Sequence, residues 1–152
     1  MNSAAIAVGS NLGDRVAHLA FAVHHLHAIL TEVRVSSWRE TAPVGVSPQP
    51  DFLNGAVVGR TALDARALLA GLLAIEDACG RRRPHEGAPR TLDLDLILYG
   101  GEVLDEPGLR VPHPRFRERP FVLEPLSEIA GDWVDPVTGL TVSELLAGLK
   151  SV

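Results

Sequence analysis

The chain has 152 residues and a mass of 16.2 kDa, with 46% hydrophobic and 22% charged residues, which suits one soluble globular domain spanning residues 1–152. This balance excludes disorder as a description of the whole chain, and no run approaches the roughly 18 apolar residues of a membrane-spanning helix. The net charge of −5 argues against bulk electrostatic binding of nucleic acid. The opening residues carry no positive stretch ahead of the apolar run Ala4–Val8, so no signal peptide is expected. The single Cys79 cannot form an internal disulfide, and a cytoplasmic setting is expected.

In chain order, Ala4 to Val8 reads as a short buried strand that ends in the turn Gly9-Ser10-Asn11. From Asp14 onward, Val16, Leu19, Ala20, Val23, Leu26 and Ile29 recur at helical steps, with Asn11 or Asp14 near the N-terminus. Thr31 to Glu40 alternates at period two and predicts a strand. A proline-rich loop follows from Thr41 to Pro50, then a strand over Phe52 to Val58. Leu63 to Cys79 is a second amphipathic helix, with Gly80 as its stop signal. Arg81 to Pro89 reads as a polar loop and Leu92 to Tyr99 as the most regular strand. The prolines between Val111 and Pro120 predict irregular chain. Two short helices are expected over Phe121 to Ile129 and Thr141 to Leu149. Strand, helix, strand, strand, helix, strand is the ferredoxin-like order, an α+β architecture of a sheet covered by helices.

The sharpest local pattern is Pro89-Arg90-Thr91-Leu92-Asp93-Leu94-Asp95-Leu96. On a strand, residues two apart share a face. Leu92, Leu94, Leu96 and Leu98 should therefore pack inward, and Asp93 and Asp95 should project together about 6.6–6.8 Å apart on the other face. Aspartate is a poor strand former, and like charges at this distance destabilise each other. A divalent cation relieves both problems, and Mg²⁺ is commonly held by one or two carboxylates plus phosphate oxygens. A solvated polar edge strand is the competing reading of the same pair. Thirteen of the 14 basic residues are arginine, and eight of them fall between Arg81 and Arg119, which favours bidentate contact with phosphate. Arg81 and Arg83 lie before the acidic pair, Arg90 just upstream, and His113 and Arg119 beyond it. Two acids ringed by Arg and His suit a polyphosphate. The phosphate-binding pattern G-x-x-x-x-G-K-[ST] is missing, so the Gly9–Gly13 glycines are expected to serve only the turn. Glu76, one helical turn before Gly80, is either a surface acid or faces the Arg loop. The histidines His24, His25 and His27 read as a partly solvated helix face rather than a metal cluster.

Four blocks together resemble the 6-hydroxymethyl-7,8-dihydropterin pyrophosphokinase family. They are Gly9-Ser10-Asn11-Leu12-Gly13, the stretch Ser36-Ser37 through Thr41-Ala42-Pro43-Val44-Gly45 to Phe52-Leu53-Asn54, Pro89 to Asp95, and Val111-Pro112-His113-Pro114. The resemblance implies a ferredoxin-like α/β/α sandwich with a mainly antiparallel sheet. It implies transfer of the β,γ-diphosphate of ATP to the hydroxymethyl group of the pterin, with release of AMP, by a monomer needing neither nucleic acid nor membrane. By resemblance, Asp93 and Asp95 hold two Mg²⁺ ions. Glu76, Arg81, Arg83, Arg90, His113 and Arg119 match nucleotide contacts, with Arg81 and Arg90 stabilising transition-state charge. Thr41, Val44, Asn54 and Asp93 match pterin-pocket positions, and Phe52 and Phe121 match the rings between which the pterin stacks. The chain departs from the family pattern at Pro84-His85-Glu86-Gly87-Ala88-Pro89, where an aromatic lid and one phosphate-facing Arg are missing. Two other readings stand beside this one. A metal-dependent phosphohydrolase would use the same acids without an acceptor, and a non-catalytic pterin- or nucleotide-binding module would keep Phe52, Asn54 and Phe121 alone.

Overall fold

The computed structural model describes residues 1–42, 50–80 and 91–150. Its element order is β1 (Asn2–Ser10), α1 (Arg15–Leu26), β2 (Thr31–Val35), β3 (Arg39–Thr41), β4 (Phe52–Thr61), α2 (Ala65–Ala78), β5 (Asp93–Tyr99), β6 (Leu104–Glu106), β7 (Leu109–Val111), a 3₁₀ turn (Phe116–Glu118), α3 (Pro120–Ala130) and α4 (Val142–Lys150). The main sheet runs β2-β4-β1-β5, with β3 also pairing β4, and every ladder is antiparallel. With β2 and β3 taken as one interrupted strand, this is the ferredoxin-like order expected from the sequence.

Helices cover both faces, so the architecture has three layers rather than the sheet-and-helix pair that patterning alone suggested. On one face, Ile6, Val8, Val57, Leu94 and Leu96 pack with Leu19 and Leu26 of α1 and Leu68 and Leu72 of α2. On the other, Ala5, Ala56, Val58 and Leu98 pack with Val122, Leu123 and Leu126 of α3 and Val142 of α4. The alternation of β4 makes both layers possible: Leu53 and Val57 turn one way, Ala56 and Val58 the other. Both long helices begin on aspartate caps, Asp14 accepting from the Ala17 amide and Asp64 from the Ala67 amide.

Three details differ from the sequence reading. The strand expected over Thr31 to Glu40 breaks at Ser36-Ser37-Trp38. Here Trp38 turns under Gly55, whose missing side chain makes room: a Cβ there would lie 2.3 Å from the indole ring. Second, Leu98 does not share a face with Leu92, Leu94 and Leu96. The register of β5 on β1 slips between Ala5 and Ile6, leaving Ile97 as the extra residue. The bulge turns Leu98 toward α3 and Tyr99 toward α2, where the Tyr99 hydroxyl donates to the Leu63 carbonyl at 2.6 Å. Third, the segment between Tyr99 and Pro112, to which the sequence reading gives no element, pairs as the hairpin β6–β7, whose turn is Pro107-Gly108 with Gly108 at φ 75°.

Candidate functional site

Asp93, Gly9, Asn54 and Arg39 form one row across four strands, since Gly9 pairs with Asp93 on one side and Asn54 on the other, and Asn54 pairs with Arg39. Direct partners in an antiparallel ladder point to the same face. Ala5 and Ala56 place that face on the α3 side. Asp95, opposite Ala7, lies on it one step further along β5. The spacing argument therefore holds: Asp93 and Asp95 share a face, both half-buried.

Gly9 has a second use that the sequence reading missed. A Cβ at this position would stand 2.9 Å from Asn54 Oδ1 and 3.7 Å from Phe52 Cδ1. Its bare backbone is the floor on which the Asn54 side chain lies. The Gly9-Ser10-Asn11 motif carried that signal, but a turn explained it equally well. Asn54 is 8% exposed, and its Nδ2 donates to Thr41 Oγ1 at 2.5 Å. The remaining amide donor and the carbonyl acceptor are chemistry suited to the edge of a heterocycle. Phe52 shares the face of Asn54, two residues along β4. Phe121 stands in the first turn of α3, packed against the core beneath it, with the Arg119 guanidinium 5.6 Å over its ring.

Ion pairs brace this end of the sheet. Arg39 reaches Glu124 and Glu128 of α3, both at 3.2 Å. Glu128 also accepts the Ser37 amide at 2.8 Å and the Ser37 hydroxyl at 2.7 Å. These bonds hold the Glu128 carboxyl below its ordinary range, the Ser37 hydroxyl contributing most. From the other layer, Arg15 donates to Glu40 and to the Asp51 carbonyl, and Asn11 donates to the Pro50 carbonyl.

At the opposite edge, His113 docks on β5 through its backbone, its amide donating to the Ile97 carbonyl at 2.9 Å. Burial lowers the His113 pKa and the charge of Arg119 lowers it further, while Asp93 opposes them. Its Nδ1 accepts the Arg115 amide at 3.2 Å, which fits the neutral ring. Between β5, α2 and the β6–β7 hairpin lies a cleft of about 370 Å³. Leu69, Leu94, Leu96 and Leu109 form its apolar walls, and Asp95, Arg110 and His113 its polar rim. That size is within the range of small-molecule sites.

Other residues have structural employment. Glu76 is buried, and its Oε2 accepts the Leu94 amide at 2.6 Å; it is not a surface acid. Arg117 pairs with the fully buried Asp135, fixing the 3₁₀ turn that precedes Arg119. His24 and His25 meet edge to face on α1, and the described residues contain no cluster of three or more metal-ligating side chains. Val44, Arg81, Arg83 and Arg90 lie outside the described residues, as does the Pro84–Pro89 departure.

Comparisons with known proteins identify the family of the chain. The profile of the 7,8-dihydro-6-hydroxymethylpterin-pyrophosphokinase (HPPK) family matches residues 5–131. The 2-amino-4-hydroxy-6-hydroxymethyldihydropteridine pyrophosphokinase of Synechocystis sp. is 44% identical over 147 residues, covering 95% of this chain and 75% of that protein. The enzyme of the same name from Bacillus subtilis is 48% identical over 130 residues, covering 84% and 78%. In structure, the wild-type HPPK-DHPS of Plasmodium falciparum superposes with a TM-score of 0.78 at 15% identity. The match covers 99% of this chain but 45% of that one, so the likeness is one of fold within a longer protein. A profile match over most of the chain, together with relatives this similar, decides the assignment: the chain belongs to the HPPK family.

Proposed function

We propose that the row from Asn54 to Asp93, with the cleft beyond β5, is where this chain transfers the diphosphate of ATP to the hydroxymethyl group of 6-hydroxymethyl-7,8-dihydropterin, releasing AMP in folate biosynthesis. The observation that carries this reading is that one sheet face sets the Asn54 side-chain amide and the Asp93–Asp95 carboxylate pair side by side. Two inter-strand spacings, about 9–10 Å, separate Asn54 from Asp93. A flat heterocycle held at Asn54, with Thr41 orienting that amide and Phe52 and Phe121 offering their rings, extends toward the acids. The cleft lined by Leu69, Leu94, Leu96 and Leu109 takes the nucleoside part of ATP, and its rim at Asp95, Arg110 and His113 faces the phosphates.

Asp93 and Asp95 fit Mg²⁺: two hard carboxylate oxygen donors on one face leave room for phosphate oxygens and water, which this ion prefers to a full protein cage. Held by Asp93 and Asp95, Mg²⁺ would supply charge neutralisation at the triphosphate and Lewis acidity toward its phosphorus. Asp93, in the row with Asn54, also orients the attacking hydroxyl. Arg119 is held over Phe121 and close enough to His113 to depress its pKa. It supplies positive charge at the phosphates, while the neutral His113 donates a hydrogen bond from Nε2. Arg81, Arg83 and Arg90 are assigned to the same phosphates by their place in the sequence, as is Val44 to the pterin pocket. The reading sets this work in the cytoplasm, by a monomer. Cys79 is a free thiol, and none of the described helices is long and apolar enough to cross a membrane.

The test is to mix the protein with ATP, Mg²⁺ and the pterin and resolve the nucleotides by chromatography. AMP formed only when the pterin is present supports the reading. Phosphate or diphosphate released without the pterin would favour a hydrolase, and binding without turnover a non-catalytic module. Asp95→Ala is expected to abolish turnover in a folded protein, and Arg90→Ala to lower it at least tenfold.

A further inference from the structure

Among the described residues β5 lies at the edge of the main sheet, with β1 as its one neighbouring strand. Alternate amides of an edge strand point away from the ladder and need another acceptor. Leu94, between Asp93 and Asp95, presents one of these amides. Glu76 reaches it from α2, and its Oε2 accepts the Leu94 N–H at 2.6 Å. Glu76 is 2% exposed and sits two residues before the end of α2, at its last buried position. Burying a carboxylate is costly unless it is well bonded, and an amide could have been capped by a neutral group or by water. The bond therefore places a carboxyl acceptor at the backbone point midway between the two acids.

We propose that Glu76 is a positioning residue: by fixing the Leu94 amide it sets the direction and spacing of Asp93 and Asp95, and so the affinity of the acidic pair for its divalent cation. This rests on the reading of Asp93 and Asp95 as the cation ligands. Glu76 acts from the α2 layer, whereas both acids project on the opposite, α3 side of the sheet. Its influence passes through the strand backbone. Charge alone does not suffice; the carboxylate must reach Leu94.

The test measures Mn²⁺ binding by calorimetry in the presence of a non-hydrolysable ATP analogue. Pterin binding without nucleotide and Leu94 amide hydrogen exchange are read on the same proteins. Glu76→Ala is expected to weaken Mn²⁺ binding at least tenfold and to speed Leu94 exchange, with pterin affinity within twofold of the wild type. Glu76→Gln keeps an acceptor oxygen at the same reach and is expected to recover binding to within about threefold. Glu76→Asp keeps the charge but is one methylene short. It is expected to behave like Glu76→Ala, and it serves alone if the alanine variant does not fold. Wild-type Mn²⁺ affinity in folded Glu76→Asp or Glu76→Ala, beside loss of binding in Asp95→Asn, would overturn the positioning role and leave the metal reading standing. Wild-type Mn²⁺ affinity in Asp95→Asn would overturn both.

Discussion

Arg15, at the start of α1, donates to Glu40 of β3 at 2.5 Å and, through its other terminal nitrogen, to the Asp51 carbonyl at 3.0 Å. One guanidinium thus grips the chain next to Thr41 and next to Phe52, two residues that pair across β3 and β4. Arg15→Ala is expected to raise the KM for the pterin several-fold while the KM for ATP stays put. Steady-state kinetics with each substrate varied checks this. Glu40 is largely exposed, so the stability cost should stay below about 1 kcal/mol. The exchange Arg15→Glu with Glu40→Arg should recover part of the loss, because the pair is restored but the bond to the Asp51 carbonyl is not.

Gly9→Ala is the sharpest steric test of the pocket floor. The added methyl group meets Asn54 Oδ1 at 2.9 Å, so the Asn54 side chain must turn away from Thr41. Pterin affinity measured by calorimetry is expected to fall at least tenfold. The overpacking itself should cost about 1–3 kcal/mol in chemical denaturation. Unchanged pterin binding would remove Asn54 from the pocket.

Asp135 is fully buried and holds Arg117 through both carboxylate oxygens, together with the Val137 amide and the Thr138 hydroxyl. Burial pushes its pKa up, but these bonds outweigh burial and leave it lowered. Asp135→Ala strands the partly buried Arg117 and should destabilise the fold by about 3 kcal/mol, read as a shift in denaturation midpoint. The sign with pH follows from the lowered pKa. The contribution is complete above the unfolded value near 3.8 and is lost as pH falls through the lower folded value. The gap between wild type and variant should therefore narrow only in strong acid.

His113 titrates below its ordinary 6.5 in the folded protein, through burial first and Arg119 second. A lowered histidine favours the neutral ring on folding. Its contribution to stability is complete above 6.5 and declines as pH falls from there to the folded value. Replacing Arg119 with Ala is expected to raise the His113 pKa, read from the ring proton shifts by NMR. An unchanged titration would separate the two residues.

The two long helices were legible because each has an aspartate near its start and an apolar stripe; the second helix layer was not, because α3 has no side-chain cap and patterning does not say which sheet face a helix covers. The face shared by Asp93 and Asp95 followed from period two alone. The fate of Leu98 did not, since a bulge depends on how β5 fits β1 and leaves no mark in the pattern Leu92-Leu94-Leu96-Leu98. The β6–β7 hairpin escapes a sequence reading because its strands of three residues each are too short to show a period. Gly9 was seen and credited to the turn, because nothing within its own segment reveals the asparagine 45 positions away that needs the space. Glu76 reads equally as a surface acid or as facing the Arg loop for the same reason: Leu94, whose amide it accepts, belongs to another element.

The extra residue at Ile97 divides β5 into two sections held separately by β1, with Asp93, Leu94, Asp95 and Leu96 in one register and Leu98 and Tyr99 in another. The strand therefore has slack built into its middle. The carboxylate section of β5 thus keeps its own register opposite Gly9 and Ala7, separate from the section that leads into Gly100-Gly101.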